Sequence, residues 1–169
     1  MVQGLEGLLP VHGFVLAGGK SSRMGEDKAL LAFCGRSLVE IAVEKLRGFC
    51  AEVSIAGNRE DLAAFAPVVS ETRLEAGPGA GIEAGLRAAV CDWVLFTPVD
   101  VPLVPAELLR NWVEAMLGAE REHGGKVLGP LVCSCLRTGA QRQPTFCLLR
   151  RGVLPTVARQ LDGGSRALS

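Results

Sequence analysis

The stretch VHGFVLAGGKSSRMGEDK spans residues 11–28 and indicates how the rest of the chain is built. Residues 11–16 form a short apolar block rich in strand formers, and the small residues 17–19 predict a tight loop directly after that strand. Strand and helix patterns then alternate through the first two thirds of the chain. This alternation predicts an α/β fold with three layers, α/β/α, in which helices cover both faces of a mostly parallel sheet.

Local signals predict the later elements. Ser37 and Glu40 have the spacing of a capping box at the start of a helix. The solvent-facing side of that helix is expected to carry Glu40, Glu44, Lys45 and Arg47. Further strands are predicted at residues 53–56, 68–69, 93–97, 126–136 and 145–149, and further helices at residues 61–66, 82–90, 106–117 and 153–161.

Length and charge narrow the classes of function. The 169 residues suit one domain, and 18 basic against 18 acidic residues give a net charge of zero. No overall field would therefore hold nucleic acid or an anionic membrane. No apolar run approaches the ~18 residues of a membrane helix, residues 1–13 lack the basic start of a signal peptide, and the six cysteines are scattered. We expect a cytoplasmic protein with neither nucleic-acid nor membrane partners.

The loop after the first strand is the first candidate site, because ligands of parallel sheets bind at the carboxyl ends of the strands. Its glycines allow a close approach of the backbone, and Arg23 and Lys28 offer two cations to a polyanion such as a triphosphate. The loop has neither the ending of a P-loop nor the spacing of a dinucleotide fingerprint. On composition alone, a surface loop with solvated charges is the alternative.

A second loop places one carboxylate directly after an apolar strand. Asp100 lies there between Pro98 and Pro102. Magnesium needs only one or two protein carboxylates, because phosphates and water supply its other ligands. Asp100 is therefore a candidate metal ligand, and a turn or capping aspartate is the alternative. In a third loop, Glu71 precedes a glycine cluster at residues 77–81. The glycines could let the N-terminal amides of the following helix face an anion or the edge of a base.

Residues 16–25, LAGGKSSRMG, followed by DKALL at residues 27–31, closely resemble the signature of the molybdenum cofactor guanylyltransferases. Later motifs agree in order and spacing. They are Asn58-Arg59, GPGAGI at residues 77–82, DVP at residues 100–102 and QPTF at residues 143–146. The resemblance extends from about residue 14 to residue 166.

This resemblance implies a Rossmann-like nucleotidyltransferase fold and the transfer of GMP from magnesium-bound GTP to molybdopterin cofactor. The products would be the guanine dinucleotide cofactor and pyrophosphate, and molybdoenzymes or their chaperones would be further partners. By position, the resemblance implies that the nucleotide is held through the backbone of four residues, Leu16, Ala17, Gly18 and Gly19. It implies that Lys28 and Arg23 face the phosphates and that Asp100 binds magnesium. Asn58 would lie at the nucleotide pocket.

Three departures from the family pattern stand out. Where the family has an aspartate that contacts guanine, this chain offers Glu71 as a substitute. Gly79 replaces the leucine of the family's Gly-Pro-Leu-Ala-Gly segment, which we expect to loosen the loop. Residues 1–169 are expected to form a single domain without the family's last segment, and therefore with impaired acceptor binding; Arg166 resembles an arginine on the acceptor side.

Alternatives remain at this point. A cytidylyltransferase acting on the same cofactor usually has alanine where this chain has Gly18, and a glycine there leaves more room for a purine. Sugar-nucleotide pyrophosphorylases differ in the spacing before the lysine and in length. A nucleotide-binding partner without catalysis, serving in cofactor insertion, is the remaining alternative. The combination of Arg23, Lys28 and Asp100 favours an enzyme.

Overall fold

A six-stranded sheet forms the centre of the molecule, in a computed structural model that describes residues 7–18, 27–73, 77–122, 133–138 and 141–163. Its strands are β1 (Leu9–Leu16), β4 (Cys50–Ala56), β5 (Val68–Val69), β6 (Trp93–Pro98), β7 (Cys133–Thr138) and β8 (Gln141–Arg150). They lie in the order β5-β4-β1-β6-β8-β7. The first four of these run parallel, and β8 and β7 add an antiparallel edge.

Helices cover both faces of the sheet, as the sequence predicts. The helices are α1 (Leu38–Arg47), α2 (Pro78–Ala88), α3 (Ala106–Glu122) and α4 (Leu154–Asp162). Alternate residues of each strand face opposite layers, so that Val15 and Leu95 pack with α1 and α3, while Phe14 and Phe96 pack with α2 and α4. The predicted three-layer α/β/α fold is therefore confirmed.

The start of α1 confirms one half of its predicted capping box. The Ser37 hydroxyl accepts a hydrogen bond from the Glu40 amide at 3.4 Å, while the Glu40 carboxylate pairs with Arg36. A small hairpin precedes this helix and was not predicted. Its two short strands are β2 (Ala32–Phe33) and β3 (Arg36–Ser37).

The glycine cluster at residues 77–81 is not the loosened loop that the sequence predicts. The helix α2 begins at Pro78, because a proline in the first turn has the right φ and needs no hydrogen-bond donor. Gly79 lies inside this helix, and a Cβ atom there would lie 2.8 Å from Leu161 Cδ2 of α4. The missing side chain thus allows two helices to pack closely.

Other boundaries differ by a few residues. The predicted helix at residues 61–66 is a single 3-10 turn, Glu60–Leu62. The predicted strand at residues 126–136 is described from Cys133 onward, and its first part lies outside the described residues. No helix within the described residues is both long enough and apolar enough to cross a membrane.

Candidate active site

The carboxyl ends of four neighbouring strands lie level with one another. Leu16, the last residue of β1, is paired with Ala56 of β4 on one side and with Pro98 of β6 on the other. Ala56 is in turn paired with Val69 of β5. The loops that follow these strands therefore start at the same edge of the sheet, and they carry Gly18, Asn58, Glu71 and Asp100.

Lys28 and Asp100 meet at this edge, although 72 residues separate them. Lys28 Nζ lies 3.4 Å from Asp100 Oδ2, and the two side chains are 51% and 45% exposed. An ion pair as exposed as this contributes at most about 1 kcal/mol to stability. The pair is therefore not needed for folding, and it presents a cation and a carboxylate together to the solvent.

The position of Lys28 is set from the loop after β4. Asp27 caps the 3-10 helix Lys28–Leu30 by accepting from the Ala29 amide at 3.1 Å. The Arg59 guanidinium donates to both carboxylate oxygens of Asp27 and also to Asp61. These hydrogen bonds raise the pKa of Arg59, so its guanidinium group stays charged. The sequence reveals Asn58-Arg59 as a family position but not this role.

Glu71 lies over Gly18, at the start of the glycine loop. Its carboxylate fills the space next to the Gly18 and Gly81 Cα atoms, so that a Cβ atom at Gly18 would collide with Glu71 Oε1. Asn58 holds the backbone of Glu71, because its Oδ1 accepts from the Glu71 amide at 2.9 Å. Burial raises the pKa of Glu71. Gly18, Asn58 and Glu71 thus form a second cluster beside the Lys28–Asp100 pair.

Two backbone groups at the point where β1 leads into the glycine loop already have hydrogen-bond partners. The Leu16 carbonyl accepts from Val99 N at 3.3 Å, and the Ala17 amide donates to Ala56 O at 3.0 Å. Nucleotide contacts by Leu16 and Ala17 remain a prediction, and they would use other backbone atoms. Gly19, Arg23 and Arg166 lie outside the described residues.

A buried carboxylate connects the Glu71 segment to two helices. Glu83 of α2 is 2% exposed and accepts from Arg73 Nε at 2.5 Å and from Arg87 Nη2 at 2.7 Å. Arg73 also pairs with Asp162 of α4 at 2.7 Å. The hydrogen bonds from Arg73 and Arg87 lower the pKa of Glu83. Sequence patterns did not reveal this cluster, because Glu83 looks like an ordinary charged residue of a helix.

The prediction that Lys45 faces solvent is wrong. Lys45 is partly buried, and its ammonium donates to the backbone carbonyls of Val101, at 3.1 Å, and of Pro102. These carbonyls directly follow Asp100. Helical spacing gave no warning of this contact, because the partner segment lies 56 residues further along the chain.

A family model described as the MobA-like NTP transferase domain matches residues 13–169. The chain belongs to this family. It is 35% identical over 158 residues to the molybdenum cofactor guanylyltransferase of Vibrio atlanticus, covering 91% of this chain and 76% of that protein. It is 32% identical over 164 residues to the enzyme of the same name from Serratia proteamaculans, covering 94% and 77%. The family predicted from the sequence, a nucleotidyltransferase family, is confirmed.

A solved structure shows the same fold in another MobA-like protein. Molybdopterin-guanine dinucleotide biosynthesis protein A from Archaeoglobus fulgidus superposes with a TM-score of 0.69 at 23% identity, covering 93% of this chain and 76% of that one. At this identity the comparison supports the fold alone. Together with the family match, this fold confirms the Rossmann-like nucleotidyltransferase architecture predicted from the sequence.

Proposed function

We propose that this protein transfers GMP from GTP to molybdopterin cofactor. A phosphate oxygen of the cofactor attacks the α-phosphorus of GTP, and the bond from that phosphorus to the oxygen shared with the β-phosphate breaks. Pyrophosphate leaves, and the guanine dinucleotide cofactor forms. The relatives named molybdenum cofactor guanylyltransferase support this reaction. The observation that carries it is the meeting of Lys28 and Asp100 at the sheet edge where β1 and β6 end.

The chemistry requires positioning and neutralisation of charge rather than a covalent nucleophile. Donor and acceptor are both phosphates, so two anions must approach each other. Lys28 would bind the triphosphate, and Arg23 would supply a second cation. Because Asp27 and Arg59 hold the segment that carries Lys28, the backbone at Lys28 would need little rearrangement when the nucleotide binds.

Nucleotidyltransferases of this family generally use a divalent metal, and we propose Mg²⁺ here. The described residues contain no group of three or more His, Cys, Asp and Glu side chains placed to hold a metal. A single exposed carboxylate, Asp100, nevertheless suits Mg²⁺, which takes its remaining ligands from phosphates and water. When bound, the ion would withdraw charge from the triphosphate.

Glu71 is the proposed acceptor for the guanine base. A carboxylate has two oxygens, which match the two neighbouring N–H donors on the edge of guanine. Asn58 fixes the backbone of Glu71, and partial burial shields the carboxylate from some of the solvent. Arg166 on the acceptor side and delivery to molybdoenzymes or their chaperones are further proposals, for which the resemblance is the support.

Thermal unfolding with magnesium and each of GTP, CTP and ATP tests this function. We expect GTP alone to raise the midpoint by roughly 5 to 10 °C at about 100 times its dissociation constant. The Lys28→Ala variant should lose most of this shift, because it lacks the cation that would bind the triphosphate. Since the Lys28 side chain is 51% exposed, we expect its removal to leave the fold intact. Release of pyrophosphate from GTP in the presence of molybdopterin cofactor then tests turnover.

Other outcomes would identify the alternatives. A shift with CTP in place of GTP would indicate a cytidylyltransferase. A GTP shift without pyrophosphate release, even as the concentration of molybdopterin cofactor is raised to overcome weak acceptor binding, would indicate a binding partner without catalysis. No shift with any of the three nucleotides would contradict the proposed nucleotide site.

Replacing Gly18 by alanine should weaken GTP binding by about 10-fold and CTP binding by less than 3-fold. The new methyl group would displace the Glu71 carboxylate, and the guanine edge would then lack its acceptor. Titration calorimetry with both nucleotides measures the two affinities. The control is Gly118→Ala, since a Cβ atom at Gly118 of α3 meets no other group within 4 Å. Equal losses for GTP and CTP would contradict the role of Glu71.

A further inference from the structure

The segment that carries Asp100 has few backbone partners of its own. Residues 98–105 contain three prolines, which have no N–H group to donate to the chain. The described contacts of this segment include Val99 N with Leu16 O and Val104 N with Val101 O, each at 3.3 Å. The carbonyls of a segment that cannot form a regular ladder need other donors. Lys45 donates to the Pro102 carbonyl and is a second donor, beside Val104 N, for the Val101 carbonyl.

The surroundings of Lys45 show that this contact is built into the fold. The lysine lies on the inner side of α1, at a small cavity bordered mainly by apolar side chains, among them Leu38, Ala42 and Val99. Burial lowers the pKa of Lys45. A charged group in such a place is costly unless it is well solvated by protein groups, and the two carbonyls provide this solvation.

We propose that Lys45 is a positioning residue for the metal–nucleotide site. By holding the carbonyls of the two residues after Asp100, its ammonium sets the distance between that carboxylate and Lys28. This inference rests on the proposed function. The described contacts of the Lys45 ammonium are with the Val101 and Pro102 carbonyls and not with Asp100, so its effect would pass through the backbone of residues 100–102.

The variant Lys45→Met tests the proposal, because it keeps most of the apolar stem and removes the three N–H donors. We expect the Mn²⁺ concentration needed for half-maximal binding in the presence of GTP to rise at least about 5-fold, as measured by electron paramagnetic resonance. The kcat for pyrophosphate release should fall about 10-fold or more, while the KM for GTP changes less than about 3-fold. Lys45→Arg, which keeps the charge and donors, should recover part of both losses.

Arg47→Met is the matched control. Arg47 lies two residues further along the same helix and also donates to a backbone carbonyl, that of Phe65, in a segment without a proposed site residue. Its Mn²⁺ affinity and kcat should stay within about 2-fold of the parent protein, and the thermal midpoints of both variants show the structural cost of each lost contact.

Three results would overturn the proposal. Unchanged Mn²⁺ affinity and kcat in Lys45→Met would show that Asp100 needs no such support. Equal losses in Lys45→Met and Arg47→Met, in proportion to lost stability, would show a structural role only. An absence of GTP-dependent Mn²⁺ binding in the parent protein would instead contradict the proposed function, and the role of Lys45 with it.

Discussion

Replacing Asp100 by asparagine is expected to lower the kcat for pyrophosphate release by about 10²- to 10³-fold. The substitution keeps the size of the side chain and removes the negative charge that would hold magnesium against the triphosphate. Because Asp100 is 45% exposed and its ion pair with Lys28 contributes little to stability, the midpoint of thermal unfolding should change by less than about 3 °C. Steady-state rates at several Mg²⁺ concentrations measure the effect.

Asp92→Asn is a suitable control for this experiment. Asp92 is also exposed, and it lies just before β6, whereas Asp100 follows the other end of the same strand. The two variants therefore change the same kind of residue at opposite edges of the sheet. We expect Asp92→Asn to retain full activity. An active Asp100→Asn protein with an unchanged requirement for magnesium would contradict the assignment of Asp100.

Replacing Glu83 by glutamine is expected to lower the free energy of unfolding by about 2 to 4 kcal/mol at pH 7. Glu83 is 2% exposed, and its carboxylate accepts from two arginines. A neutral amide removes the carboxylate that Arg87 pairs with and leaves Arg73 with Asp162 alone. Removing one partner of a buried pair is strongly destabilising. The expected value lies toward the low end because Arg73 and Arg87 are 29% and 54% exposed. Urea unfolding at pH 7 measures the loss.

The contribution of Glu83 should also depend on pH. Its pKa is lower in the folded protein than in the unfolded chain, so ionisation stabilises the fold above the ordinary glutamate value of about 4.3. As the pH falls below that value toward the lowered pKa, this stabilisation is lost. The difference between the parent protein and Glu83→Gln should therefore shrink between pH 5 and pH 3.5. A difference that grows in this range would contradict the assignment.

Glu114→Gln provides the comparison for Glu83. Glu114 and Arg110 are also one helical turn apart, but both are exposed on α3, at 44% and 39%. Such surface pairs contribute about 0.5 kcal/mol or less. An equal loss in the free energy of unfolding for Glu83→Gln and Glu114→Gln would contradict a supporting role of the buried Glu83–Arg73 pair for the Glu71 segment.

Much of the fold could be predicted from short-range patterns. The apolar block of β1 and the glycines after it, the cap at Ser37 and the strand before Asp100 each depend on neighbouring residues only. Backbone preferences and local hydrogen bonds act over a few residues, so these elements can be recognised without the rest of the chain. The start of α2 at Pro78 was missed, because close packing of its glycines against the sheet and α4 outweighs their low helix propensity.

The site was predicted less completely than the fold. The sequence pointed to Lys28, Asp100 and Glu71 as separate candidates in three loops. It did not reveal that Arg59 holds Asp27 or that Lys45 supports the Asp100 segment. An arginine or lysine at a given helical position has the same local pattern whether it is solvated or buried against a distant carbonyl.

The sequence by itself determined the order of the elements, the glycine loop after β1 and the kinds of charged group at the sheet edge. Only the tertiary structure decided that Lys28 and Asp100 meet, that Glu71 lies over Gly18 and that Lys45 turns inward. The physical reason is the range of the interactions. Local geometry follows from adjacent residues, whereas burial and pairing depend on the parallel strands that bring distant loops to one edge of the sheet.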